Sequence, residues 1–179
     1  MVYAQRPDVT AVIHAHPPIT TALTIAGIEL AQCVIPEVVI TMGRIPTAEY
    51  ATPCSEEGAL VIKELVREVD AIILDRHGSL TVGDTLEKAY FKLEKLEHAA
   101  HVTSTARMLG SVKVLPENEV QKLIALRQKL GIQSRSNPCD NCKACDRPAQ
   151  KSPGANIGNI SHEALIEVLT DEILKRVTK

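Results

Sequence analysis

Aromatic side chains are nearly missing from this 179-residue chain: one Phe, three Tyr and no Trp. That scarcity argues against base-stacking platforms for nucleic acid and against an aromatic-lined sugar groove. An excess of either charge is also lacking. Twenty Lys and Arg stand against 22 Asp and Glu, a formal net charge of −2. Binding driven by electrostatics to nucleic acid or to an anionic membrane is therefore not expected. No uninterrupted apolar run is long enough to span a bilayer. The longest, Ile19 to Met42, is broken by Glu29, Pro36 and Glu37. The first residues, Met1-Val2-Tyr3-Ala4-Gln5-Arg6-Pro7, contain no apolar core of a secretory leader. Gly-x-Ser elbows and phosphate loops are absent; Thr81-Val82-Gly83 reads as a turn. Five cysteines, an odd number, point to a reducing cytoplasm.

What is present is an apolar fraction of 45%, enough to build a packed core. Three regions follow from the pattern. Residues 1–133 read as an α/β body. Val9 to His16 has the apolar density of a strand, ended by Pro17-Pro18. Ile19 to Ala26 reads as a helix stopped by Gly27. Val38 to Thr41 is β-branched and reads as a short strand. Ser55-Glu56-Glu57 opens a helix to about Val69, with acidic residues suited to its first turn. Ala71 to Leu74 reads as a buried strand and Leu80 to Val82 as another. A long helix runs from about Thr85 to Leu109, with Leu86, Ala89, Leu93, Leu96 and Ala100 as its apolar stripe. Glu117 to Leu130 is the last helix of the body, stopped by Gly131. The mixture indicates a layered α/β fold.

Residues 134–160 change character. Three prolines, two glycines and few apolar side chains make a linker that carries Cys139-x-x-Cys142-x-x-Cys145. These three thiols could hold zinc or part of an iron–sulfur cluster, but the fourth ligand is not adjacent. The alternative is three solvated thiols. Cys33 and Cys54 read as small buried residues. In residues 161–179, Leu165, Ile166, Leu169, Ile173 and Val177 fall within about 120° of arc on one helix face. This is a short amphipathic helix on a tether.

The chemistry concentrates in histidines. His14-Ala15-His16 lies at the end of the first strand, where alternation points both imidazoles to one face. Their Cα atoms are expected roughly 6.5–7 Å apart, within reach of one ion. His77 sits at the end of the 71–75 strand, before Gly78. Three imidazoles leave an open position on a divalent ion, as in catalytic rather than structural sites. The competing reading is that each is a hydrogen-bonded core or rim residue. Glu94, His98 and His101 also share a helix face; a solvated face of charged residues is the simpler account there.

Four segments resemble the zinc-dependent class II aldolase/adducin family. They are Arg6-Pro7-Asp8-Val9-x-x-Val12-Ile13-His14-Ala15-His16-Pro17, then Ile45-Pro46-Thr47-Ala48-x-Tyr50-Ala51-Thr52. Next come Arg76-His77-Gly78-Ser79-Leu80-Thr81-Val82-Gly83 and Glu94-x-x-Glu97. The match covers about residues 2 to 110. It implies a three-layer α/β/α sandwich around a mainly antiparallel sheet, assembled as a homotetramer with sites at subunit interfaces. It implies one Zn2+ per subunit on His14, His16 and His77. The activity implied is cleavage of a ketose 1-phosphate of the L-fuculose 1-phosphate type to dihydroxyacetone phosphate and an aldehyde. The family's acid/base glutamate and phosphate loops are expected upstream of Met1, and its catalytic tyrosine has no match here. The 179-residue chain alone is thus expected to turn over little substrate. Two rival functions are a sugar-phosphate 4-epimerase acting on L-ribulose 5-phosphate and a non-catalytic adducin-like module. The Gly-Ser-Leu-Thr-Val-Gly segment after His77 is more similar to aldolases than to epimerases. The tethered helix resembles peptides that carry enzymes into bacterial microcompartments. That resemblance implies a shell-protein partner and a place in the cytoplasm inside such a compartment.

Overall fold

The computed structural model describes residues 1–30 and 33–136. In chain order the elements are α1 (Val2–Gln5), β1 (Ala11–Ala15), α2 (Pro18–Ile25), α3 (Pro36–Thr41) and β2 (Thr47–Ala48). They continue with α4 (Glu56–Lys63), α5 (Leu65–Glu68), β3 (Ala71–Leu74), β4 (Gly78–Gly83), α6 (Leu86–Leu109) and α7 (Glu117–Lys129). The four strands form one sheet in the order β1-β4-β3-β2. β1 pairs antiparallel with β4, and β4 antiparallel with β3; only the two-residue β2 runs parallel to its neighbour β3. The sheet is therefore mainly antiparallel, as the resemblance implies.

Alternation along the buried central strand sorts the core into two faces. Ala71 and Ile73 point to one side, where they pack with Leu23 of α2 and with Leu96, Ala99 and Ala100 of α6. Ile72 points to the other, joined by Leu80 and Val82 of β4 and by Ile62 and Val66 of α4 and α5. Helices thus cover both faces of the sheet. Each fully buried Leu or Ile here contributes roughly 1.5–3 kcal/mol of transfer free energy. A third cluster, Cys33, Val39, Val120 and Ile124, fastens α7 to α3.

Several local expectations hold and some do not. Ser55 caps α4 by accepting from the Gly58 N–H at 3.3 Å, and Thr85 caps α6 by accepting from Lys88 N–H at 3.1 Å. Gly27, at φ +66°, takes the left-handed turn that ends α2. The segment from Ser55 to Val69 is two helices, broken at Glu64. Val38–Thr41 is helix α3 and not a strand. Pro36 occupies its first turn with preset φ, and Glu37 meets the helix dipole there. A helix also turns the neighbours Val38 and Val39 toward two different clusters, and both are buried. Leu86 does not belong to the α6 stripe; it is 67% exposed, and the buried positions are Ala89, Leu96, Ala99, Ala100 and Thr103. The small residues let α6 approach the sheet closely. Cys54 is exposed, contrary to expectation, because it sits at φ +62° in the turn before α4; Cys33 is buried. Ser134 and Ser136 still belong to the body: Ser136 accepts from Arg44 N–H at 3.1 Å.

A charged network closes the end of the sheet where β1 begins. The Arg6 side chain is buried, and all five of its N–H donors are used. They reach the carbonyls of Val66 (2.9 Å) and Val69 (3.1 Å), the Asp70 carboxylate (2.7 Å) and the Asp8 carboxylate (3.0 Å). Lys92 of α6 binds the second Asp70 oxygen at 2.8 Å and the Val82 carbonyl at 2.9 Å. Burial opposes the Arg6 charge, but the hydrogen bonds it donates to Asp8 and Asp70, with the attraction of those carboxylates, outweigh it and hold the guanidinium above its ordinary value. The Arg6 hydrogen bond in turn holds the Asp8 carboxyl well below the usual carboxylate range. No helix among the described residues is long and apolar enough to cross a membrane.

Candidate metal centre

The opposite end of the same sheet carries the histidines. β1 places His14 across from Leu80 and Ala15 across from Ser79. His14 and His16 therefore share the sheet face of Leu80, two residues apart on the pleat. His77 comes from the tight turn between β3 and β4. That turn is closed by His77 N–H donating to the Leu74 carbonyl at 3.1 Å, with Arg76 in the left-handed region at φ +55°. A non-glycine residue there costs on the order of 1 kcal/mol, which the surrounding structure must supply.

The three imidazoles converge. One ligand nitrogen from each lies within 4.8 Å of the others. Ring centroids are 4.8–5.1 Å apart. Nδ1 of His14 lies 2.9 Å from the Ser79 carbonyl oxygen. A carbonyl only accepts, so Nδ1 carries the proton and Nε2 presents its lone pair. This outer contact is the kind that orients a metal-ligating imidazole. Burial and the neighbouring rings of His14 and His16 push the His77 value below the ordinary 6.5. The neutral ring so favoured is the form that ligates a metal.

Gly78 explains how the two arms come so close. A Cβ there would meet the Ala15 carbonyl oxygen, and would lie 2.9 Å from Cδ2 of His16. The absence of a side chain is thus a packing requirement of the site. Beside the triad opens a cavity of about 290 Å³, lined by His14, His77, Glu49, Asp75 and Leu80 among others. The donor set fits a divalent ion of the borderline class: three imidazole nitrogens, a main-chain carbonyl against the far nitrogen of one ring, and an adjoining cavity.

Other candidates are not gathered in this way. Glu94, His98 and His101 are exposed on α6, and among the described residues the triad is the only group of three that converges. Cys139, Cys142 and Cys145 lie outside the described residues. So do Leu165, Ile166, Leu169, Ile173 and Val177. Two features carry no local sequence signal. One is the reach of Arg6 to Val66, Val69 and Asp70, 60–64 residues away. The other is Glu97, which reaches from α6 to the first turn of α2, 77 and 78 residues back. The Glu94-x-x-Glu97 pattern marked the position, but not that contact.

An imidazole triad thus stands at one end of a mainly antiparallel sheet covered by helices on both faces. Residues 1–104 match the model of the class II aldolase and adducin N-terminal domain, and the chain belongs to that family. It is 37% identical over 101 residues to the L-fuculose phosphate aldolase of Methanococcus vannielii, covering 55% of this chain and 53% of that protein. It is 31% identical over 103 residues to the 3-oxo-tetronate 4-phosphate decarboxylase of Escherichia coli, covering 55% of this chain and 49% of that one. Among solved structures it resembles an L-fuculose 1-phosphate aldolase with a TM-score of 0.63 at 28% identity, over 70% of this chain and 59% of that one. The chain spans about half the length of the curated relatives it matches.

Proposed function

We propose that the chain provides the metal-binding part of a zinc-dependent lyase that cleaves a phosphorylated ketose. The observation that supports this reading most is the convergence of His14, His16 and His77 within 4.8 Å beside a cavity. His14, His16 and His77 would hold the ion. When bound, a divalent ion supplies Lewis acidity, which stabilises negative charge developing on a carbonyl oxygen. The Ser79 carbonyl fixes the His14 tautomer, and the Gly78 crossing keeps the two arms together. Cleavage of a ketose 1-phosphate breaks the C3–C4 bond. The C4 hydroxyl gives up its proton to become the aldehyde carbonyl. The electron pair goes to C3, whose carbanion is then protonated to give dihydroxyacetone phosphate. Glu49 and Asp75 are the carboxylates of this chain that line the cavity, and either would serve for proton traffic there.

Similarity to the L-fuculose phosphate aldolases favours a substrate of the L-fuculose 1-phosphate type. Similarity to the 3-oxo-tetronate 4-phosphate decarboxylases supports a second reading, in which carbon dioxide rather than an aldehyde leaves the same carbon. Purified chain loaded with zinc should be offered L-fuculose 1-phosphate, L-ribulose 5-phosphate and a 3-oxo-tetronate 4-phosphate, at protein concentrations high enough to register the low turnover expected of it. Aldehyde release from the first alone supports the aldolase. Carbon dioxide from the third, or epimer from the second, replaces it. Absence of stoichiometric zinc binding defeats the reading at its root. The proposal extends to a homotetramer, tested by sedimentation. It also takes residues 161–179 as a shell-docking helix. Fusion of that helix to a fluorescent protein should give puncta in cells making the cognate shell, and Leu165→Glu with Leu169→Glu should disperse them.

A further inference from the structure

The two arms of the triad reach the site by separate routes, and α2 lies between them. We propose that Glu97 and Thr24 are positioning residues for the metal centre, acting through α2 as a strut that sets the spacing between His14/His16 and His77. The proposal rests on the reading of the triad as a metal site.

The chain leaves His16 through Pro17 and enters α2 at Pro18. Glu97 of α6 holds that entry with both carboxylate oxygens. Oε1 accepts from the Ile19 N–H at 2.8 Å; Oε2 accepts from the Thr20 N–H at 2.9 Å and from the Thr20 hydroxyl at 2.7 Å. Pro17, the residue preceding the helix, has no side chain able to cap, so these N–H groups depend on a carboxylate brought from elsewhere. A negative group at a helix N-terminus is also favoured by the dipole. Thr20 is fully buried, which fixes the geometry of this end.

One turn further along, Thr24 holds the other arm. Its hydroxyl donates to the Thr21 carbonyl at 2.8 Å and accepts from the Arg76 N–H at 2.9 Å. Arg76 is the left-handed residue immediately before His77. The hydroxyl thus holds the backbone conformation that aims His77. A continuous path results: Glu97, the start of α2, Thr24, Arg76, His77. Metal ligands tolerate only about 0.5 Å of misplacement, so relaxation of either anchor is expected to show in affinity before it shows in folding.

The test uses the full chain with Zn2+ affinity measured by chelator competition, the visible spectrum of the Co2+-loaded protein, and the melting temperature without metal. Thr24→Val keeps the shape and removes the acceptor. It should weaken Zn2+ binding by roughly 10–100-fold, as loss of an outer-shell partner does, and alter the Co2+ bands. Thr24→Ser should restore both. Glu97→Gln places amide donors against donors and should weaken Zn2+ binding as well. Thr24→Val and Glu97→Gln that melt lower yet keep wild-type affinity and spectrum would show purely structural roles and overturn the proposal. Should Thr24→Val fail to fold, Glu97→Gln alone decides, in the same two directions. Wild-type protein that binds neither Zn2+ nor Co2+ would defeat the underlying metal reading. Unchanged variants of a wild type that does bind would defeat the strut alone.

Discussion

At the end of the sheet where β1 begins, one buried guanidinium has every N–H donor matched to an acceptor. At the end where β1 stops, three imidazoles crowd together with a ring nitrogen of each within 4.8 Å of the others. The first arrangement is complete as it stands. Arg6, Asp8, Asp70 and Lys92 balance charge, satisfy carbonyls and tie α1, the start of β3 and α6 to one another. The second gathers three imidazoles and has no carboxylate among them. The same β1 strand serves both, so the comparison separates what holds the sheet together from what the sheet presents. Groups that stabilise are buried with opposite partners; groups that act are held near like partners and left partly open.

The largest effect expected from breaking this comparison is at the ionic end. Arg6→Ala would leave the Asp70 carboxylate short of a partner and two carbonyls without donors. It should cost about 3–5 kcal/mol, read as a lower urea midpoint. Arg6→Lys should rescue little, because one ammonium cannot reach acceptors on three sides. Zinc affinity of the folded fraction should stay near wild type. A large loss of affinity there would mean that the two ends are not independent.

Next comes the histidine end. His77→Ala should lower zinc affinity by about 100-fold or more, beyond the loss expected for an outer-shell contact. The melting temperature of the metal-free protein should change little. Equilibrium dialysis followed by metal analysis checks the first, and thermal unfolding in chelator checks the second. Stoichiometric zinc in a His14→Ala/His16→Ala double variant would remove the triad from consideration.

A smaller effect distinguishes the ends by pH. The Asp8 carboxyl is depressed in the folded state, mainly by its hydrogen bond from Arg6. The unfolded chain therefore binds its proton first as acid is added. The stability it contributes is present above its ordinary 3.8 and is lost as pH falls through the depressed value. Urea midpoints taken downward from about pH 5 should decline, and Asp8→Asn should flatten that decline. Because Asp8 is 44% exposed, solvent screening keeps the amplitude modest.

The smallest effect sharpens the comparison at a single residue. Among the described residues the Ser79 hydroxyl is buried with no hydrogen-bond partner, while the Ser79 carbonyl accepts from the His14 Nδ1–H. Ser79→Ala should therefore be neutral or stabilising within about 0.5–1 kcal/mol. It should leave zinc affinity unchanged, since the main chain supplies the contact. Calorimetric unfolding and chelator competition on one preparation test both halves.

How much of this was legible in the sequence depends on how far apart the partners lie. The pairing of His14 with His16 follows from a two-residue period within one strand. His77 was placed by a buried strand ending at a glycine. The strands at 71–74 and 80–82 and the long helix declared themselves by composition and capping. Val38–Thr41 did not, because β-branching favours strands locally while two hydrophobic clusters here reward a helix. Cys54 departs from the usual burial of cysteine, which is a tendency only, because it stands in a left-handed turn at the surface. The contacts of Arg6 with Asp70, of Thr24 with Arg76 and of Glu97 with Thr20 join residues more than 50 apart, where no periodicity operates. Such contacts are set by topology, which a single sequence does not display.

The order of strands in the sheet also dictates a sequence of events in time. β3 and β4 are joined by a three-residue turn, so their pairing closes a short loop. β1 must find β4 across 65 residues of chain, as the His14–Ser79 contact shows. Short loops close in microseconds or less, whereas distant pairings wait on larger searches. His77 is thus presented early on a hairpin, and the site is assembled only when β1 docks. A cobalt absorbance signal during refolding should trail the formation of secondary structure, making the metal a reporter of β1 docking.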